Sequence, residues 1–286
     1  MDITNLSPYV RVAKDSLIPA NIHLRKRVIF DYELVYLKSG EIILTVEDKT
    51  YHCIPGDILF LQPRTTHSVK NLSGKPVHQP HVHFDLCHEE NSPEVKVSFR
   101  PLPRIQPDEM HLFRPVLNIE GIGEPPAVLR LQDPRSFEHK LFALIREFNS
   151  QMPYRDIAVK GLFINLWTYY LRELYLSQNE NERITMLTFR QVKDYMDAHL
   201  DQNLTLDELA EYVHLSKYYI VHLFKEIYSM SPMQYHRFQR IKKAKELIQF
   251  SDMSIQQVSE QVGYSTVGSF SRAFKSIEKV PPTYYR

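Results

Sequence analysis

The last third of this chain contains the same unit twice, and that duplication restricts the fold more than any other feature. Leu206, Leu209, Ala210, Val213 and Leu215 return at one constant offset as Ile255, Val258, Ser259, Val262 and Tyr264. One residue further along that offset, Ile220, Leu223, Phe224 and Lys225 return as Phe270, Ala273, Phe274 and Lys275. Met230-Ser231-Pro232 and Tyr235 then return as Val280-Pro281-Pro282 and Tyr285. A repeat of this length is a duplicated supersecondary unit. In each copy apolar residues fall at i, i+3, i+4 and i+7, which is one face of a helix. Thr205 and Glu208 make a capping box at the start of the first helix. Ser216 is placed to cap the second, which is expected to bury Ile220, Leu223, Phe224 and Ile227. Gly263 sits in the corner of copy two, where a tight turn uses positive φ. Ala210 and Ser259 supply the small residue that a close helix crossing needs. Each copy therefore reads as a helix-turn-helix.

A further helix is expected over Phe189–Leu200, apolar at Val192, Tyr195, Met196 and His199. Another over Pro232–Phe250 joins the two copies, with proline in the first turn where its missing N–H costs nothing. At 1.5 Å per residue this joining helix is about 27 Å long. That approaches one turn of B-DNA, roughly 34 Å, so a rigid rod of this size presents two helices to successive major-groove segments. Formal net charge is only +1, but charge is patterned. Asp194, Asp197, Asp201, Asp207, Glu208 and Glu211 make the start of the repeat acidic. Lys217, Lys225, Arg237, Arg240, Lys242, Lys243 and Lys245 make its middle basic, and phosphate affinity depends on where charge sits. At least some of Lys242, Lys243 and Lys245 are expected to meet phosphate.

With the apolar stripe buried, the second helix of copy one exposes Lys217, Tyr218, Val221, His222 and Lys225. Its counterpart exposes Val267, Gly268, Ser271, Arg272 and Lys275. Arg272 is the strongest candidate for a base contact, because arginine pairs bidentately with guanine O6 and N7. His222 has donor and acceptor capacity for the groove, and Tyr218, Val221 and Val267 suit thymine methyl groups. Lys217 and Lys225 suit phosphate positioning.

Ser254-Ile255 through Arg286 resembles the signature of AraC-type transcriptional regulators. The matching pieces are Gly263-Tyr264-Ser265, Phe270-Ser271-Arg272-Ala273-Phe274-Lys275 and Pro282-Thr283-Tyr284-Tyr285-Arg286. The family usually has glycine where this chain has Ser229 and Lys279, and an aromatic residue at Glu278. The resemblance implies a sequence-specific regulator of double-stranded DNA, an activator working with RNA polymerase, and a homodimer. It implies no catalytic activity.

Ahead of this region, apolar-rich stretches at Tyr32–Leu37, Ile42–Val46, Tyr51–Ile54, Ile58–Leu61, Thr66–Asn71 and His81–Leu86 alternate with turn residues such as Pro55-Gly56-Asp57. Short strands at such spacing indicate an all-β sandwich or barrel. With Pro63-Arg64-Thr65-Thr66-His67, the segment resembles the cupin-like effector domain found before AraC-type DNA-binding domains. The resemblance implies a small-molecule effector, a sugar or related metabolite, with Arg25, Gln79, His81 and His83 as effector-binding residues. His67, His78, His81, His83, Cys87 and His88 invite a metal reading, since imidazoles are ordinary ligands. On one strand His81, His83 and Asp85 share a face, opposite Val82, Phe84 and Leu86. The first strand, however, offers only Glu33 where metal cupins carry His-x-His. No metal ligand, cofactor or catalytic residue is therefore assigned, and the histidines are expected to line a pocket.

Residues 91–132 are proline-rich, which forbids a long helix. Apolar helices are expected over Phe137–Asn149 and Ile157–Tyr175; they either cover the barrel or, as the resemblance implies, mediate dimerisation. Polar Gln178–Thr185 is the best linker. The expected fold is α+β and multidomain: a cupin-like effector domain over 1–132, a helical dimerisation region over 133–180, and an all-α DNA-binding domain with two helix-turn-helix motifs over 185–286. Two rival readings stay open: a regulator controlled by a partner protein, and a cupin metalloenzyme fused to a DNA-binding domain. Cys53 and Cys87 are too few for a disulfide framework. The N-terminus has no apolar signal segment, and Leu162–Leu176 is interrupted by Asn165, Arg172 and Glu173, too short and polar to span a bilayer. Cytoplasm, with no membrane partner, is the expected compartment.

Overall fold

A computed structural model of the chain describes residues 6–72, 74–131 and 133–286. Two compact units are present, Met1–Gln178 and Asn179–Arg286. The first is built on antiparallel strands: β1 (Tyr9–Lys14), β2 (Leu17–Ile18), β3 (His23–Arg27), β4 (Tyr32–Tyr36), β5 (Ile42–Val46), β6 (Lys49–Cys53), β7 (Asp57–Leu61), β8 (His67–Asn71), β9 (Val77–His78), β10 (His81–Asp85) and β11 (Val128–Arg130). A five-stranded sheet runs β1-β10-β4-β7-β11, a four-stranded sheet runs β3-β8-β5-β6, and β2 pairs with β9.

Alternation along the strands sorts the side chains. Val35, Leu37, Leu59 and Leu61 of the larger sheet share a core with Ile42, Leu44 and Val69 of the smaller. The opposite face of the larger sheet carries Tyr32, Leu34, Phe60, Val82 and Phe84. Two helices, α1 (Pro134–Phe148) and α2 (Arg155–Gln178), cover it. Phe84 packs on Phe163 with ring centroids 4.5 Å apart, and Phe60 packs on Trp167 at 5.7 Å. The helical segment expected as a separate region is thus one hydrophobic core with the barrel, because both partners bring an aromatic face that needs covering. Among the described residues no helix is long and apolar enough to cross a membrane.

The second unit comprises α3 (Glu180–Ala198), α4 (Leu206–Val213), α5 (Lys217–Tyr228), α6 (Pro232–Phe250), α7 (Ile255–Gln261) and α8 (Val267–Glu278). The stretch expected as a linker is helical from Glu180 onward. It contains neither glycine nor proline; Arg183 pairs with Glu180 at 2.9 Å, and Thr185 Oγ1 lies 3.0 Å from Tyr219 Oη. The expected caps form: Thr205 and Glu208 close a capping box on α4, and Ser216 caps α5. Ile227 does not join the core and is 39% exposed. Tyr228 anchors that last turn instead, its ring 5.4 Å from Phe189 and 5.0 Å from Tyr235.

The two turns use the same hydrogen bonds. Leu215 N donates to Ala210 O at 3.0 Å, and Tyr264 N donates to Ser259 O at 2.9 Å. The corner residue of each is left-handed, His214 at φ 54° and Gly263 at φ 74°. Only Gly263 has no alternative, because a Cβ there would run into the Asp201 carbonyl and stand 2.9 Å from Gln202 N. Ser229 and Lys279 end α5 and α8 at φ 55° and 68°. They keep the left-handed geometry that glycine adopts without strain.

Opposite stability changes follow at these positions. Gly263→Ala is expected to destabilise the C-terminal unit by at least about 2 kcal/mol, from φ strain plus backbone overlap. Lys279→Gly is expected to stabilise it by roughly 0.5–1 kcal/mol, the relieved strain exceeding the added freedom of the unfolded chain. Urea unfolding of both variants checks the two signs.

Candidate nucleic-acid interface and effector cavity

Helix α6 is the shared support of both helix-turn-helix copies. Its first half meets the core of copy one through Tyr235, and its second half meets the core of copy two through Ile241, Ala244 and Ile248. His236 Nε2 lies 3.1 Å from the His199 carbonyl. Arg240 is buried; its Nε donates to Val262 O at 2.6 Å, and its guanidinium carbon stands 4.1 Å from the Tyr264 ring centre. Such a cation over an aromatic face adds electrostatic attraction to the packing. Glu278, at the position where the family has an aromatic residue, accepts from Lys245 Nζ at 2.6 Å and from Tyr285 Oη at 2.9 Å. Lys245 is therefore held against α8 and withdrawn from the set expected to meet phosphate, and Lys243 pairs with Glu246 at 3.5 Å.

Away from these contacts, α5 and α8 each present one face. Lys217, Tyr218, His222 and Lys225 are exposed on α5, with Val221 half-buried. Val267, Gly268, Arg272 and Lys275 are exposed on α8, with Ser271 half-buried. The two sets occupy equivalent positions, at helical steps of i, i+1, i+4, i+5 and i+8. Tyr218 is 84% exposed. Lys217 Nζ pairs with Asp207 at 2.5 Å and His222 Nε2 stands 3.4 Å from Glu226. Arg272 Nε leans back on the Gly268 carbonyl at 3.3 Å.

In the N-terminal unit a cavity of about 380 Å³ is lined by Lys14, Leu24, Arg27, Glu33, Gln79, His81 and His83, among others. Three of the four residues expected there, Gln79, His81 and His83, do line it. Arg25 does not: it is exposed on β3. The pairing of β3 with β8 shifts between Leu24 and Arg27, an irregularity that turns Leu24 and Arg27 inward and leaves Arg25 outside. Arg27, two residues further along β3, lines the cavity in the place expected for Arg25.

The inward polar groups are paired. Arg27 Nε donates to His67 Nε2 at 2.9 Å, so His67 carries its hydrogen on Nδ1 and donates it to Thr65 O at 3.1 Å. Burial, reinforced by the Arg27 cation, pushes His67 down to about 4. Arg27 Nη2 also donates to Glu33 Oε2 at 3.1 Å. His83 Nδ1 is 3.1 Å from Asp31 Oδ1, and its Nε2 is 3.4 Å from Glu33 Oε1. Burial opposes its charge, but Glu33 and Asp31 outweigh burial and raise His83 to about 9. Glu33 is likewise held well below the usual carboxylate range by His83 and Arg27 against the effect of burial. His81 is lowered, chiefly by burial; its Nδ1 lies 3.0 Å from Ser16 Oγ. Deeper still, Arg11 pairs with Asp31 and, at 2.8 Å, with Asp85, which Arg114 also reaches at 2.9 Å.

Comparison with known proteins agrees with this division. The helix-turn-helix domain family matches residues 209–286, and the cupin domain family matches residues 30–82. The uncharacterized HTH-type transcriptional regulator YisR of Bacillus subtilis is 24% identical over 263 residues, 91% of this chain and 87% of that protein. The transposon Tn10 TetD protein of Escherichia coli is 33% identical over 92 residues, 32% of this chain and 67% of TetD. The raffinose operon transcriptional regulatory protein RafR of Pediococcus pentosaceus is 29% identical over 132 residues, 46% of this chain and 47% of RafR. This chain thus spans about half the length of the raffinose regulator. With a cupin domain ahead of a duplicated helix-turn-helix, the chain belongs to the AraC-type family of transcriptional regulators.

Proposed function

We propose that this regulator reads an operator through the exposed faces of α5 and α8 and answers to a small polyhydroxylated effector, a sugar or related metabolite, held in the barrel cavity. The observation that carries the first half is the pair of equivalent exposed faces on one rod. That rod, α6, packs into the cores of both copies, and its buried Arg240 and His236 bond the ends of α7 and α3. Arg272 supplies the bidentate donor for guanine, and Tyr218, Val221 and Val267 supply apolar contact for thymine methyls. Lys225 and Lys275 position the protein on phosphate.

The effector half is supported by the mixed lining of the cavity. Gln79, His81 and Arg27 offer donors and acceptors suited to hydroxyl groups, beside the apolar surface of Leu24 and Phe99. The name of the raffinose operon regulator among the relatives points to the same ligand class. Activation through RNA polymerase, and a homodimeric state, belong to this reading by family resemblance.

Binding of the full-length protein to fragments of DNA flanking its own gene, at fixed salt, tests the assignment. Arg272→Ala is expected to lose about 1–3 kcal/mol at the specific site, with sequence-indifferent binding unchanged; equal, indifferent binding by both proteins would overturn the reading. Lys225→Ala is expected to weaken binding to all sequences alike and to reduce the log–log salt slope by about 1. For the barrel, candidate sugars including raffinose are expected to raise the melting temperature of the wild type but not of Gln79→Ala. A sugar that protects both equally binds elsewhere.

A further inference from the structure

Glu33 on β4 and His81 and His83 on β10 each offer one ligand atom, and the three atoms lie within 4.8 Å of one another. Glu33 and His83 are buried, and His81 is half-buried. His83 Nε2 stands 3.4 Å from Glu33 Oε1. That is longer than the about 2.7–2.9 Å of a charge-assisted hydrogen bond. It matches the edge of a coordination tetrahedron, since two ligands each about 2.0–2.1 Å from one ion lie roughly 3.4 Å apart.

The second nitrogen of each ring is already occupied in the way a metal-ligating histidine requires. His83 Nδ1 is 3.1 Å from the Asp31 carboxylate. His81 Nδ1 is 3.0 Å from Ser16 Oγ and 3.3 Å from the Gln79 carbonyl. Partners of this kind fix the tautomer and leave Nε2 as the ligand atom. The other oxygen of Glu33, Oε2, is steadied by Arg27 at 3.1 Å. His67 stands outside the set because its Nε2 accepts from Arg27.

We propose that Glu33, His81 and His83 bind one divalent transition-metal ion inside the barrel, with its open coordination side facing the cavity that all three residues line. Two imidazoles and one carboxylate suit zinc and, with more open positions, iron or manganese. Oxygen donors of a cavity ligand would complete the shell. The proposal goes beyond the operator reading and does not depend on it.

The test uses the purified full-length protein, stripped with a chelator and titrated with Zn²⁺ by calorimetry, and with Co²⁺ by visible absorption. The expected result is one equivalent per chain and a Co²⁺ spectrum of low coordination number. Affinity is expected to fall at least about tenfold in His81→Ala and in Glu33→Gln, the loss known for disturbed ligand sets. His52→Ala, at an exposed histidine paired with Glu41, is expected to bind as the wild type does. His81 touches the buried ion pairs least, so His81→Ala carries the test if Glu33→Gln does not fold. A missing saturable equivalent, or zinc and cobalt binding unchanged in a folded His81→Ala, would overturn the proposal.

Discussion

The C-terminal unit depends on a buried guanidinium. Arg240 lies in the middle of α6, hydrogen-bonds the carbonyl that ends α7, and lies against the Tyr264 ring of the following turn. A charge-assisted bond of this sort contributes about 1.5–3 kcal/mol, and its loss leaves a cation without a partner in a dry site. One helical turn earlier, His236 makes the corresponding bond to the His199 carbonyl at the end of α3. The helix is thus pinned to the end of α3 and to copy two at adjacent turns. Copy one joins the same helix through the apolar packing of Tyr235. In the proposed reading, two exposed faces carried on one helix act as one surface with one register.

The barrel is organised by a different constraint. Strand alternation sends Val82, Phe84 and Leu86 to the helix-covered face and His81, His83 and Asp85 to the interior. The interior consequently has an apolar part, built on Val35, Leu37, Leu59 and Leu61, and a charged part. Charged groups removed from water must find partners. Here Arg11 and Arg114 meet Asp85, Arg27 meets Glu33, and His83 stands between Asp31 and Glu33. Buried ion pairs of this kind rarely add net stability over apolar packing of the same volume.

What was legible in the sequence follows from how local its cause is. The duplicated helix pairs, their caps and the length of α6 rest on spacings of three to seven residues, and each formed where the pattern put it. So did the six strands marked by turn residues and the alternation on β10. The failures have non-local causes. Arg25 and Arg27 are indistinguishable by alternation, and the choice between them rests on a register shift against β8. The strand Tyr9–Lys14 is interrupted by Arg11, whose charge is accommodated only because Asp31 and Asp85 arrive from other strands. The polar run after Gln178 reads as a linker until Tyr219 supplies a partner for Thr185. Ile227 has the right period, but the aromatic contacts of Tyr228 already close that end of α5.

The two helices proposed to read DNA share a frame but not a chemistry. On α5, Lys217 is drawn to Asp207 and His222 stands near Glu226, while the ring of Tyr218 is 84% exposed. On α8, Arg272 is exposed at the position equivalent to His222, flanked by the small residues Gly268 and Ser271 that allow close approach to a groove floor. A guanidinium fork discriminates between bases by hydrogen-bond pattern, whereas an aromatic ring and a valine discriminate chiefly by shape and by methyl contact. Under the proposed reading, base readout by α8 also sets which steps α5 meets, since both helices pack on α6. One specific helix can therefore confer specificity on a pair, with the less selective partner supplying affinity at a fixed distance.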